Sequence, residues 1–139
     1  MTTTQPDFTG SRIDHLNIAV PDLPAAVAFY EPVLAVIGIV TMMTVPASDE
    51  LPAMHGFGWP HKPYFWLIAD GTVGSNMHLA FTVDSREQVR LFHRTALAHG
   101  ATSLHAPGDH PAYHPAYYGG FVVDPHGINL EAVTHTAES

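Results

Sequence analysis

The chain has 139 residues, 46% of them apolar, a formal charge of −8 and no cysteine. That length supports one compact domain with a sizeable core, and the missing cysteines exclude disulfides, thiolate catalysis and a cysteine metal cage. Only five basic residues are present, a poor balance for nucleic acid, whose binding rests on phosphate neutralisation. The apolar runs fall short of the ~20 residues that a membrane helix requires. The start, Met-Thr-Thr-Thr-Gln-Pro-Asp, lacks the charged-then-apolar pattern of a secretory signal, so a cytoplasmic protein is expected.

Residues 1–10 read as a flexible leader. Ile13–Val20 alternates, with Leu16, Ile18 and Val20 on one face and His15, Asn17 and Ala19 on the other, the pattern of a half-buried strand. Asp22 and Pro24 form a helix start. The stripe Ala26, Val27, Phe29, Tyr30, Val33, Leu34 and Ile37 carries that helix towards Gly38. Pro32 lies within it and is expected to kink or shorten it. Three strands follow, at Ile39–Val45, Ala53–Trp59 and Tyr64–Ala69, and Asp70-Gly71 closes the first half.

The second half repeats the first. Asn76–Val83 carries a His-Leu pair where Ile13–Val20 has one. Laid together without gaps, His15 falls on His78, Leu16 on Leu79, Val20 on Val83, Phe29 on Phe92 and Leu34 on Leu97. Gly38 against Gly100 needs a single deletion. Such self-similarity marks an internal duplication. Ser85 and Gln88 fit a capping box, and Val89, Phe92, Ala96 and Leu97 form the buried stripe of a helix ending at Gly100. His93 and His99, on the same helix, are expected at its surface. A short strand, Thr102–His105, precedes a loop at Ala106–Pro115. Two last strands, Tyr117–Val123 and Ile128–Val133, flank the turn Asp124-Pro125-His126-Gly127.

The fold class is therefore α+β, with two tandem βαβββ modules (about 11–71 and 75–134) in one domain of residues 1–139. The modules are expected to form a curved, half-open, eight-stranded mixed sheet with helices on its outer face. Its inner positions would include His15, His78 and Glu131. Two imidazoles and one carboxylate from separate strands can hold a divalent ion while leaving positions open for substrate, and strands hold such ligands rigidly. Iron, manganese, nickel and zinc all suit this donor set. His110 and His114 are four apart, but Pro111 and Pro115 argue against the helix that would give that spacing force.

At these residues the chain resembles the vicinal oxygen chelate superfamily, which includes glyoxalase I, fosfomycin-modifying enzymes, extradiol dioxygenases and bleomycin-binding proteins. The likeness is carried by Asp14–Val20 with Asp22-Leu23, Ala28-Phe29-Tyr30, His78–Phe81, and Phe121–Asp124 with Gly127 and Asn129-Leu130-Glu131. It implies paired βαβββ modules, a metal at His15, His78 and Glu131, and frequent homodimers in which a site can take one module from each chain. Glyoxalase I-like members use a fourth protein ligand on the fourth strand, where Tyr64–Ala69 has none. Glutathione and phosphonate substrates call for basic residues that are nearly absent here. Bleomycin-type binders generally lack the triad. The expected function is thus a metal-dependent enzyme chelating a small vicinal-oxygen substrate, aromatic ones included, as an extradiol-type dioxygenase or a lyase/isomerase. The alternative is a non-catalytic small-molecule binding or sequestering protein of the same fold. By residue type, Asn17, Trp59, Trp66, Tyr117 and Tyr118 are candidate substrate contacts, and His114 and Tyr113 candidate acid/base groups.

Overall fold

The computed structural model describes residues 10–136; the expected leader lies, Gly10 apart, outside the described residues. Each half is built as β-α-β-β-β. The first has β1 (Leu16–Ala19), α1 (Leu23–Ala35), β2 (Val40–Val45), β3 (Met54–Gly58) and β4 (Pro63–Ile68). The second has β5 (His78–Thr82), α2 (Arg86–Ala98), β6 (Thr102–Asp109), β7 (Tyr118–Val123) and β8 (Asn129–Thr134). The eight strands divide into two four-stranded sheets, ordered β1-β4-β3-β2 and β5-β8-β7-β6. In each, the first strand runs parallel to the last and the other pairings are antiparallel. β1 and β5 are thus both edge strands, and a groove lined by His15, Leu16, Tyr64, Leu79 and Phe81 runs between them.

Local chemistry explains the helix starts. The Asp22 carboxylate accepts from the Ala25 N–H (3.1 Å), and the Ser85 hydroxyl accepts from the Gln88 N–H (3.2 Å), satisfying donors that the first turn leaves open. Pro32 does not shorten α1 relative to its counterpart: both helices are 13 residues long. β6 runs further than expected, through Pro107 to Asp109. It is an edge strand with two register shifts, the setting in which a proline's missing N–H is tolerated.

One core serves both halves. Ile18, Val20, Phe65 and Leu67 of the first half belong to one buried cluster with Phe29, Tyr30, Val33 and Leu34 of α1, with Val89, Phe92 and Ala96 of α2, and with Val122 and Leu130. An aromatic series links the modules: Tyr30 to Phe65 (5.3 Å between centroids), Phe65 to Phe81 (5.6 Å) and Phe81 to Phe92 (6.3 Å). Tyr30, fully buried, donates its hydroxyl to Asp124 in the β7–β8 turn. Burial and that carboxylate push the Tyr30 phenol well above its ordinary value. The other Asp124 oxygen accepts from the His126 and Ile128 N–H groups (2.8 and 2.9 Å), so a first-half helix and a second-half turn are joined through one satisfied carboxylate.

Candidate functional site

The faces opposite the helices carry the polar residues. In the second sheet, alternation turns Leu79, Phe81 and Leu130 into the core and His78 and Glu131 the other way. Strands β5 and β8 pair His78 with Asn129 and Ala80 with Glu131, which places the imidazole diagonally across from the carboxylate. His78 Nε2 lies 2.9 Å from Glu131 Oε1. Glu131 is only 1% exposed, and its Oε2 accepts the hydroxyl of Tyr117. Gly119 makes that contact sterically possible, since a Cβ there would stand 2.7 Å from Glu131 Oε2. Burial first, and then Glu131, push the Tyr117 phenol well above its ordinary value.

These groups open on a cavity of about 680 Å³ walled also by Leu104, His105, His110, Tyr113, Phe121 and Asn129. The His110 ring stacks on Tyr113 (5.6 Å) and meets Phe121 edge-on (5.3 Å). Its walls include no lysine or arginine. His105 and Phe121 were absent from the sequence-derived site candidates, and His110 was weighed only as a pair with His114 and set aside. Their signal was weak, because β6 looked shorter than it is and the loop offered no period to read.

His15 lies elsewhere. The convergence of His15, His78 and Glu131 within one curved sheet is not what the single chain shows. His15 lines a separate pocket of about 360 Å³ with Asn17, Met54, Pro63 and Trp66. Among the described residues, no three of His, Cys, Asp or Glu converge on a possible metal position. The reason is topological: His15 precedes an edge strand of one sheet and His78 opens an edge strand of the other, and no ladder joins them. His15 Nδ1 is 2.7 Å from Asp14 Oδ2, which leaves Nε2 as the ligand-competent nitrogen. Lys62 pairs with the same carboxyl and, as the foremost cause, holds it below its ordinary value.

The other candidates separate in the same way. Tyr113 and Tyr117 wall the larger cavity, and Asn17 and Trp66 the smaller. Tyr118 belongs to neither. Its ring is buried beneath Arg86, whose guanidinium lies 4.6 Å from the ring centroid, because neighbours on a strand point to opposite faces. Trp59 is 60% exposed, beyond the end of β3. His114 does not line the cavity. Its Nδ1 accepts from the Ala116 N–H (3.1 Å), so Nε2 carries the proton and donates to His135 Nδ1 (2.7 Å). His93, expected at the surface, is 6% exposed, with Ser103 Oγ 3.0 Å from its Nε2. Burial lowers its pKa from the ordinary value.

A family model described as the glyoxalase/bleomycin resistance protein/dioxygenase superfamily matches residues 12–132. The chain belongs to that superfamily, whose fold is the vicinal oxygen chelate fold. It is similar in structure to a glyoxalase/bleomycin resistance protein from Albidiferax ferrireducens T118, with 25% identity, 89% of this chain and 99% of that one covered, and a TM-score of 0.73. A glyoxalase/bleomycin resistance protein/dioxygenase family enzyme from Burkholderia phytofirmans PsJN shares the fold at 23% identity, covering 89% of this chain and 98% of that one, with a TM-score of 0.67. So does a glyoxalase I variant from Zea mays, at 19% identity and a TM-score of 0.67, covering 87% of this chain and 45% of that one. No curated protein matches the chain. No helix among the described residues is long and apolar enough to cross a membrane.

Proposed function

We propose that this chain is one protomer of a homodimeric, divalent-metal-dependent enzyme acting on a small neutral substrate with adjacent oxygens, its site shared between two copies. The observation that carries this reading is the buried Glu131 carboxylate held 2.9 Å from His78 at the floor of an open cavity. An imidazole nitrogen and a carboxylate oxygen are both donors that a divalent ion takes, so His78 and Glu131 would be the residues of this chain that hold it. His15 from a second copy, with its Nδ1 already engaged by Asp14, would complete the set. A divalent ion there supplies Lewis acidity towards chelated oxygens or, as iron(II), a partner for dioxygen. Within the chain, Glu131 would fix the position of that charge and His78 would offer its Nε2 beside it. The rings of His110, Tyr113 and Phe121 form a wall suited to a planar ligand. The absence of lysine and arginine from the lining disfavours phosphorylated or polyanionic substrates.

The second reading is a sequestering protein of the same fold. It is favoured by the fact that, among the described residues of one chain, no three ligands converge. Metal analysis of protein purified without chelator tests the first reading. Near-stoichiometric metal that disappears in each of His15→Ala, His78→Ala and Glu131→Ala is expected; metal content unchanged in all three would sink it. Oxygen consumption with catechols then separates turnover from binding.

A further inference from the structure

The side chain behind the carboxylate has its own task. We infer that Tyr117 is a positioning residue that ties up one oxygen of Glu131, so that the acid presents a single oxygen beside His78 and a neighbouring metal position stays open for substrate. The inference rests on the metal reading above and assigns a residue that reading does not use.

Glu131 has two oxygens with separate partners. Oε1 faces His78 Nε2, and Oε2 takes the Tyr117 hydroxyl. A carboxylate that is 1% exposed gains little from water, so whichever oxygen lacks a donor turns towards the nearest positive charge. With the phenol in place, Oε2 is already satisfied and only Oε1 is offered. Without it, both oxygens are free to close on one ion and occupy a second coordination position.

The surroundings fix the phenol in that orientation. Its ring is packed edge-on against Tyr113 (4.8 Å), His114 (5.5 Å) and His135 (5.5 Å). His114 and His135 are joined to each other at 2.7 Å, so the ring rests on a linked pair. Gly119 supplies the remaining space: an added Cβ would fall 3.2 Å from Tyr117 Cε1 as well as 2.7 Å from Glu131 Oε2. Any larger residue there wedges the two apart. The absence of a side chain at 119 and the presence of a hydroxyl at 117 thus serve the same contact.

Cobalt(II) is the probe, because its visible absorption responds to coordination number and its affinity is measurable by chelator competition. In the full-length protein, Tyr117→Phe keeps the ring and removes the hydroxyl. It is expected to weaken Co(II) binding about ten- to a hundredfold, the usual effect of losing an outer-sphere hydrogen bond, and to dim the visible bands as the acid becomes bidentate. Gly119→Ala, which keeps the hydroxyl but separates the pair, is expected to change the spectrum in the same direction. Unaltered affinity and spectrum in a folded Tyr117→Phe protein, or in Gly119→Ala should the first variant not fold, overturn the assignment while leaving the metal reading standing. A wild-type protein that takes up no Co(II) overturns both.

Discussion

The two halves share a ladder but not a site. The register of β1 on β4 matches that of β5 on β8, so the residue two past each histidine has a fixed partner: Asn17 faces Trp66, and Ala80 faces Glu131. Trp66 therefore occupies in the first half the position that Glu131 holds in the second. Next to these, β3 places Gly56 beside Trp66, and β7 places Phe121 beside Glu131. A Cβ on Gly56 would fall 2.8 Å from the Trp66 ring, so the bulky residue lies over a bare backbone. Duplication preserved the core faces and the histidines, while the open faces diverged into an apolar pocket and an acid-floored cavity. Core faces are held in common because each must fill the same space beneath a helix, whereas an open face answers only to what binds it.

The largest effects come from breaking what the halves share. Phe65→Ala removes the ring between Tyr30 and Phe81 and is expected to cost about 3–5 kcal/mol. Urea unfolding should show one cooperative transition in which both halves melt; two separated transitions would mean that the core is not common. Tyr30→Phe leaves a buried Asp124 oxygen without its partner and should cost about 1–3 kcal/mol in the same assay.

Acidity gives a smaller and directional effect. His55 in the first half and His93 in the second are both depressed by burial. In the unfolded chain an imidazole titrates near ~6.5, so on acidification the unfolded state takes up the proton first. The stability from a neutral buried histidine is complete above that value and is lost as pH falls below it towards the lower folded pKa. Unfolding free energy should decline from pH 7 to 5, each such group adding at most about 1.4 kcal/mol per pH unit, and His93→Gln should flatten the decline. A slope unchanged in the variant would show that His93 does not contribute. Smallest of all, Trp59→Ala should leave stability within about 0.5 kcal/mol and metal content unaltered, because Trp59 is 60% exposed and touches neither pocket.

Most of this architecture was legible in the residues. Alternation at Leu79, Phe81 and Leu130, the caps at Asp22 and Ser85, and the repeated His-Leu gave the strands, helices and duplication. Tyr118 could also have been placed, since a strand cannot turn two consecutive tyrosines to one face. His93 was readable too: with Val89, Phe92 and Ala96 it completes an i, i+3, i+4, i+7 stripe, but a polar name concealed a buried position. The tie from Tyr117 to Glu131 had no periodic signal, because Tyr117 lies just before β7 and its reach depends on Gly119. Whether two edge strands meet within a chain or between copies leaves no trace in hydrophobic pattern, since both arrangements bury the same faces. His15 was expected beside His78 because the repeat puts both at equivalent places on their strands.

The decisive measurement is therefore complementation. His15→Ala and His78→Ala proteins, each unable to hold metal alone, are mixed in equal amounts, allowed to exchange subunits, and assayed for bound metal. In a two-fold symmetric dimer with sites shared between copies, each mixed dimer regains one intact site, so about a quarter of the wild-type metal content returns. A mixture that binds no more metal than either variant by itself contradicts the shared site.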